Sequence, residues 1–379
     1  MKNICVGQIC ESVSKTFNKQ QDSVILINTS DVLDGKILNY KEEPNLNLKG
    51  QFKKTFETDD ILYSEIRPSN RRFAYVSEKN TEKYVASTKL MVIRAFKEFV
   101  DPKYLYLYLT SSEIVNKLQH LAETRSGTFP QITFSEEIAK LVINLPPIPI
   151  QKDIVNFINS IDNKINVNNQ INKNLEEQAF SIYKEFLNTN EYSLGLLSEI
   201  ADITMGQSPS GETYNETGKG SVFFQGRAEF GERFPITRLY TTAPKRMAME
   251  NDILMSVRAP VGDINIAIEP CCIGRGLAAI HSKNSHQSFL LYTMKSLKDQ
   301  LDVFNGEGTV FGSINKDALN NLSIKIPDET IIDNIDEILS PLDLKIKNNF
   351  MENLALKNIR DSILPKLMSG EIDVASLEI

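Results

Sequence analysis

The chain has 379 residues, a net charge of −7, 41% hydrophobic and 24% charged content. That length and composition allow two or three domains with real apolar cores and exclude wholesale disorder or a collagen-like repeat. No apolar run approaches the ~18 residues of a membrane span, and the N-terminus MKNICVGQICESVSK lacks the apolar core of a secretory signal. Strand-like runs open the chain at Val24–Ile27, Ile61–Leu62, Phe73–Val76 and Leu90–Phe96. Asp101-Pro102 reads as a cap followed by proline at the first helical position, starting a helix that stops before Ser126-Gly127. The turn GTFPQITF and the strand LVINLPP lead into a long helix over 154–186. Further strands are expected at Ile200–Thr204, Val222–Phe224, Ile253–Val257, Ile264–Ile268 and Leu277–His281, then a helix over Gln287–Phe304, the turn GTVFGSI, the strand LSIKIP and a second long helix. Short strands with one late helix predict an α/β globular part with a mixed or antiparallel sheet, and this plan occurs twice.

The duplication is written in the residues. Asp60-Ile61-Leu62-Tyr63-Ser64 returns 192 positions later as Asp252-Ile253-Leu254-Met255-Ser256; Arg67-Pro68 follows the first copy and Arg258-Ala259-Pro260 the second. Ile143-Asn144-Leu145-Pro146 returns as Ile324-Lys325-Ile326-Pro327. In the first long helix the seam Ile154, Ile158, Ile161, Ile165, Asn168, Asn172, Leu175, Ala179, Ile182 and Phe186 alternates steps of 4 and 3. Adding 181 gives Ile335, Leu339, Leu342, Ile346, Asn349, Asn353, Leu356, Arg360, Ile363 and Leu367, with both asparagines repeated and Arg360 the one break. Two such seams in one register predict that the helices pack on each other, the asparagines fixing register at some cost in stability. Pro341 is expected to break or kink the second helix, with Ser340 capping a restart. A helix of ~33 residues spans ~50 Å at 1.5 Å per residue. A rigid spacer between two related domains suits a target of two separated half-sites, which lie ~34–36 Å apart per DNA turn.

The charge is uneven. Residues 1–140 carry 20 basic and 18 acidic side chains, residues 200–290 carry 9 of each, and the remainder carries 13 and 22. The acidity therefore sits in the helical segments, where a solvated face is the ordinary meaning, and the near-neutral globular parts remain able to gather arginine and lysine on one side.

Taken together, these landmarks resemble the specificity subunit of type I restriction-modification systems, over essentially the whole chain. The residues that carry the resemblance most specifically are GTFPQITFSEEIAKLVINLPPIPIQKDIVNFINSIDNKI in the middle and INKDALNNLSIKIP, LDLKIKNN and ILPKLMSGEI at the end. ITMGQSPSGETYNETGKGSVFFQGRAEFGERFP looks like the start of a target recognition domain, and Ile273-Gly274-Arg275-Gly276-Leu277 also recurs in such domains. The second copy departs at Gly308-Thr309-Val310-Phe311-Gly312, where the first has Thr128-Phe129-Pro130-Gln131. The resemblance implies an α/β chain with target recognition domains at 1–150 and 191–328, and a central and a distal helix at 151–190 and 329–379 pairing as an antiparallel coiled coil. It implies that each domain reads one half of a bipartite duplex DNA sequence. It also implies partners: methyltransferase subunits docked on the helices, which bind S-adenosylmethionine, and a restriction subunit that uses ATP and Mg. No cofactor is expected on this chain itself.

The residues fit a non-catalytic role. Leu145-Pro146-Pro147-Ile148 lacks the Asp or Asn that a methyltransferase motif places before its prolines. Gly211 to Gly218-Lys219 has the wrong spacing for a P-loop, and Gly220 stands where a magnesium-ligating hydroxyl belongs; Gly306-x-Gly308 lacks a third glycine. Asp333 with Asp343-Leu344-Lys345 mimics a nuclease pattern, but its place on the seam predicts surface charge. Cys5, Cys10, Cys271 and Cys272, with His120, His281 and His286, make no metal-ligand or disulfide spacing, so no metal site is expected and a reducing cytoplasm is the default; the histidines at 281 and 286 read as structural.

Base reading needs Arg or Lys for guanine and Asn or Gln for adenine. The candidates are Arg67, Arg71, Arg72 and Lys89 in the first domain, the turn Pro68-Ser69-Asn70 presenting the arginine pair. In the second they are Gln207, Lys219, Gln225, Arg227, Lys245, Arg246, Arg258 and Arg275, with the glycine-rich stretch 206–220 as a loop able to enter a groove. Arg67 and Arg258 belong to the repeated motif and are expected to serve the shared fold, whereas base readers should differ between copies. A coiled-coil scaffold with protein-binding domains is the alternative. An enzyme in its own right would have to transfer methyl groups unaided.

Overall fold

A computed structural model describes residues 2–17, 21–46, 48, 50–125, 128–306 and 312–377. The turn residues Ser126, Gly127, Gly308, Thr309, Val310 and Phe311 lie outside the described residues. The chain divides into two compact units: Met1–Asn166 with Asn353–Ile379, and Val167–Glu352.

Each unit is built on one plan. In the first, an antiparallel sheet runs in the order Cys10–Val13, Leu90–Ala95, Ile61–Ser64, Phe73–Tyr75. A second sheet runs Glu42–Pro44, Ser23–Ile27, Tyr84–Ser87, Phe52–Lys54, with its two inner strands parallel. In the second unit the antiparallel sheet is Ala201–Met205, Leu277–Ser282, Ile253–Ser256, Ile264–Ile266. Its companion runs Tyr214–Asn215, Tyr240–Thr241, Ser221–Phe224, Cys271–Ile273, Met247–Ala248, again with a parallel pair, between Ser221–Phe224 and Cys271–Ile273. A two-stranded ribbon closes each unit, Lys2–Cys5 on Val142–Leu145 and Ser193–Leu196 on Ser323–Ile326.

The repeated D-I-L-x-S motif explains this sandwich. Successive strand side chains point to opposite faces. Ile61 and Tyr63 join the core beneath the helices, while Leu62 joins the core between the two sheets. Ile253 and Met255 do the first and Leu254 the second. A strand covered on both faces reads as a continuous apolar run, which is what the sequence carries there. The motif's polar ends are structural. Asp60 is 1% exposed, accepts two bonds from the Arg94 guanidinium at 2.8 and 2.7 Å, and holds the Glu57 N–H at 2.7 Å. Asp252 holds the Met249 N–H at 2.7 Å and meets His281 Nδ1 at 2.6 Å. His286 Nε2 meets Asp333 Oδ1 at 2.7 Å, so both histidines are tied into the fold as expected.

The expected helix after Asp101-Pro102 is present. Asp101 caps it through the Lys103 and Tyr104 N–H groups, and it is split into Pro102–Thr110 and Ser112–Arg125. Its counterpart is Gln287–Ser296 followed by Lys298–Asp302. The long helices are Ile148–Thr189 and Glu329–Ser369, of 42 and 41 residues. Within the first unit Arg360 donates to Asp162 at 2.8 Å, and Ile154, Ile158, Ile161 and Ile165 share a core with Leu364 and Leu367. Within the second, Asn168 donates to Glu352 at 2.8 Å and Asn349 to Asn172 Oδ1 at 2.8 Å, beside buried Ile335, Leu339 and Ile346. In the second unit the partners 168–352 and 172–349 run in opposite order, so the two helical portions are antiparallel there.

Three expectations about the helices are corrected. Glu329–Ser369 is not broken at Pro341, and Ser340 Oγ donates to Asp336 rather than capping a restart. Pro341 and Glu337 are both exposed, so the carbonyl deprived of its partner faces water while Leu339 and Ile346 hold the helix from the buried side. Ile182 and Phe186 are only half-buried, whereas Tyr183 at 1% and Leu187 at 7% are the deep positions. The helix turns a second face to its domain there, with Tyr183 Oη donating to Thr293 Oγ1 at 3.0 Å. Asp343 is not a free surface charge: Arg233, 7% exposed, ion-pairs with it, and Tyr292 donates to it at 2.7 Å. Among the described residues no helix is long and apolar enough to cross a membrane.

Candidate nucleic-acid interface

Which candidate cations are free to meet a ligand is decided by their partners. In the first unit the turn Pro68–Asn70 does not present an arginine pair. Arg71 folds back onto Asp34 and the face of Phe73, and Arg72 donates to the Ser30 and Val32 carbonyls at 3.0 and 3.3 Å. Lys89 is held by Glu65 at 3.3 Å. Arg71 and Arg72 are tied because the hairpin around residues 30–37 supplies acceptors within their reach, and Lys89 is tied by Glu65. Arg67 is different: it is exposed, takes a left-handed φ of 44°, and its side chain has no hydrogen-bond or ion-pair partner among the described residues.

In the second unit Arg227 pairs with Asp263. Lys245 and Arg246 are exposed on the approach to Met247–Ala248, and the Arg246 carbonyl accepts from the Ile273 N–H at 2.9 Å. The stretch 206–220 is folded rather than a loose loop. Tyr214–Asn215 pairs with Tyr240–Thr241, and Asn215 brackets Lys219 through both its backbone groups at 2.8 and 2.9 Å. The Lys219 side chain remains exposed.

Four segments distant in sequence meet at one point of the second unit. The Gly206 N–H donates to the Leu277 carbonyl at 2.9 Å and the Gln207 N–H to Ile273 at 3.0 Å. The Gly274 N–H donates to Phe224 at 2.8 Å, and the Val257 N–H to Gly276 at 3.0 Å. The Arg275 N–H donates to Ser208 Oγ at 3.2 Å. Glycine is required for this approach: a Cβ on Gly206 would stand 2.1 Å from the Gly274 oxygen, and one on Gly274 2.8 Å from the Gln225 oxygen. Gln207, Gln225, Arg258 and Arg275 all leave this junction exposed, with side chains unpartnered among the described residues.

The pairing registers show how the first unit differs. Ser64 pairs with Leu90 as Ser256 does with Leu277, so Thr88 stands where Arg275 does and Ser87 and Lys89 replace the two glycines. Ile66 bridges Gln131 as Arg258 bridges Ser313, and the Arg67 N–H binds Pro130 as the Ala259 N–H binds Gly312. Arg67 and Arg258 are therefore one position out of register, and neither side chain makes a hydrogen bond or ion pair among the described residues that would serve the shared fold. A single-residue slip turns a side chain to another face, and the motif offset of 192 carries the same slip, placing Arg258 opposite Ile66.

Sequence reasoning missed Arg233. Its signal was an arginine flanked by apolar residues (Phe230, Phe234, Ile236), easily read as ordinary surface charge. It sits among Asp343, Glu176 and Lys295, the last of these also paired with Glu176. Burial pushes the Cys10 and Cys271 thiols up to about 12, so neither is a nucleophile in the folded chain.

A family model of the type I restriction modification DNA specificity domain matches residues 1–177 and again 191–357, the same division that the structural repeat makes. The HindI specificity subunit of Haemophilus influenzae is 28% identical, over 98% of this chain and 99% of that one. The putative MjaX specificity subunit of Methanocaldococcus jannaschii is 31% identical over 83% of this chain and 79% of that one. A solved chain from work on complex assembly and conformational transition of the type I R-M system is 27% identical, covers 98% of both chains, and has a TM-score of 0.51. The S subunit from M. genitalium, 15% identical over 97% of this chain and 96% of that one, shares the fold with a TM-score of 0.58. With two tandem matches over most of its length, the chain belongs to the type I restriction modification DNA specificity family.

Proposed function

We propose that the chain is the DNA sequence-specificity subunit of a type I restriction-modification complex. Residues 1–150 and 191–328 each read one half of a bipartite duplex DNA site, and the paired helices at 151–190 and 329–379 set the gap between the halves. The observation that carries this reading is the coincidence of two tandem specificity-domain matches with a twofold repeat of strand order and pairing. The chain itself is non-catalytic and works in the cytoplasm. Methyltransferase subunits supply the S-adenosylmethionine chemistry, and a restriction subunit supplies ATP- and Mg-dependent cleavage.

The unpartnered cations and amides support DNA contact better than the tied ones do. Arg67, Lys219, Lys245 and Arg246 are suited to phosphate, and Gln207, Gln225, Arg258 and Arg275 to base edges. The distal segment 329–379, with 10 acidic against 5 basic side chains, suits subunit docking better than DNA, since phosphate contact needs positive charge.

Deletion of the chain from its host, followed by methylome sequencing, tests the function directly. A two-part modified motif should vanish; an unchanged methylome would end the proposal. The purified complex should shift duplex DNA sequence-selectively, with affinity falling steeply as salt rises. Charged or proline substitutions along Leu175–Phe186 should abolish co-purification of methyltransferase subunits, and an intact complex would count against helix docking.

A further inference from the structure

We infer that the glycine-packed junction of the second unit is its base-reading element, with Gln207 and Gln225 on A·T pairs and Arg258 and Arg275 on G·C pairs. Arg246 beside it holds phosphate. The inference rests on the specificity-subunit reading and deepens it, naming the junction that holds the base readers and the base pair each would meet.

Three properties single out this junction. First, its backbone is over-determined. The Gln207, Gly274 and Val257 N–H groups are spent on carbonyls of neighbouring segments, and Gly206 and Gly274 bring backbones closer than any side chain allows. A base reader must be held to a fraction of an ångström, and a locked backbone supplies that. Second, the four side chains it projects are exposed and unpartnered among the described residues, whereas Arg71, Arg72, Lys89 and Arg227 are tied to acceptors within their own units. Third, their chemistry is the pair of functions that major-groove edges demand. A primary amide matches adenine N6 and N7, and a guanidinium matches guanine O6 and N7.

The first unit lacks this element. Thr88 occupies the place of Arg275, Ile66 that of Arg258, and Ser87 and Lys89 those of Gly274 and Gly276. Its half-site must be read from elsewhere. The two half-sites should therefore be unrelated in sequence although the domains share a fold.

The test uses the full chain assembled with its methyltransferase subunits and a duplex library randomised across both half-sites, sequenced after selection at fixed salt. Gln207→Ala, Gln225→Ala and Arg275→Ala should each relax preference at one or two base pairs of one half-site, by roughly tenfold or more at each. The other half-site should keep its preference, which shows in the same molecule that the chain is folded and assembled. Arg246→Ala should weaken binding equally across sequences and lower the salt slope by about 1. Unchanged preferences in all three alanine variants, or a uniform loss in each, would overturn the assignment. A parental complex with no two-part preference would overturn the specificity-subunit reading instead.

Discussion

Asp162 and Asp343 occupy the same place in the repeat, 181 residues apart, and each unit neutralises its copy from a different direction. In the first unit the cation is Arg360 on the partner helix, with the two side chains 29% and 36% exposed. In the second, the position repeating Arg360 is Ala179, and the cation comes instead from the globular part, as Arg233. There the pair is nearly dry, with the two side chains 7% and 16% exposed, and Tyr292, Glu176 and Lys295 complete the cluster. One unit thus fastens helix to helix with charge, and the other fastens domain to helix. A carboxylate at a repeated position does not determine what binds it.

The comparison is broken most forcefully at Arg233. Arg233→Ala leaves Asp343 with the Tyr292 hydroxyl but without its cation, while Glu176 keeps Lys295, and removing one partner of a buried ion pair typically costs ~3–5 kcal/mol. Hydrogen exchange of the amides in Gln287–Ser296 should show the loss in the second unit. Exchange in Pro102–Thr110 of the first should stay at the parental rate. Equal loosening of both helices would mean that the cluster does not belong to the second unit alone.

Much of this architecture was legible. Both long helices, the paired asparagines and the two D-I-L-x-S strands follow from periodicity, because a seam and a strand covered on both faces each leave a regular apolar trace. What periodicity cannot carry is the partner of a charge. Arg71, Arg72, Lys89 and Arg227 look in sequence like Arg258 and Arg275, yet the first group meets acceptors brought in from strands and turns 24 to 42 positions away. The one-residue slip between Arg67 and Arg258 was legible, by contrast, since the motif offset of 192 places Arg258 opposite Ile66. Pro341 misleads for a related reason: the rule concerns an isolated backbone, and here the seam on the opposite side keeps the helix intact.

The seam asparagines sharpen the comparison at a smaller scale. Asn349 is 2% exposed and donates to Asn172, while Asn168, four residues earlier on the first helix, donates to Glu352. Asn349→Leu removes the donor and leaves the Asn172 oxygen unsatisfied against an apolar neighbour, a cost of ~1–2 kcal/mol. Replacing both Asn172 and Asn349 by Leu should recover most of that stability in chemical denaturation, since two matched apolar groups leave nothing unsatisfied. The price is looser register, visible as methyltransferase complexes that accept more than one spacer between half-sites. A double variant no more stable than the single would show that the amides contribute more than register.

The smallest effect is expected at Arg360. Its pair with Asp162 is partly in water, and its second contact is the adjacent Asp361 at 2.9 Å, so the guanidinium is stabilised mostly by groups that water would solvate equally well. Pairs of this kind contribute ~0–1 kcal/mol. Arg360→Ala should therefore change the denaturation midpoint of the first unit only slightly, and Arg360→Leu should be neutral or stabilising, because it restores the apolar step between half-buried Leu356 and Ile363. If Arg360→Ala instead proved as damaging as Arg233→Ala, exposure would be the wrong measure of what an ion pair contributes here. The two carboxylates would then be equivalent after all, each holding its unit together through whichever cation lies nearest.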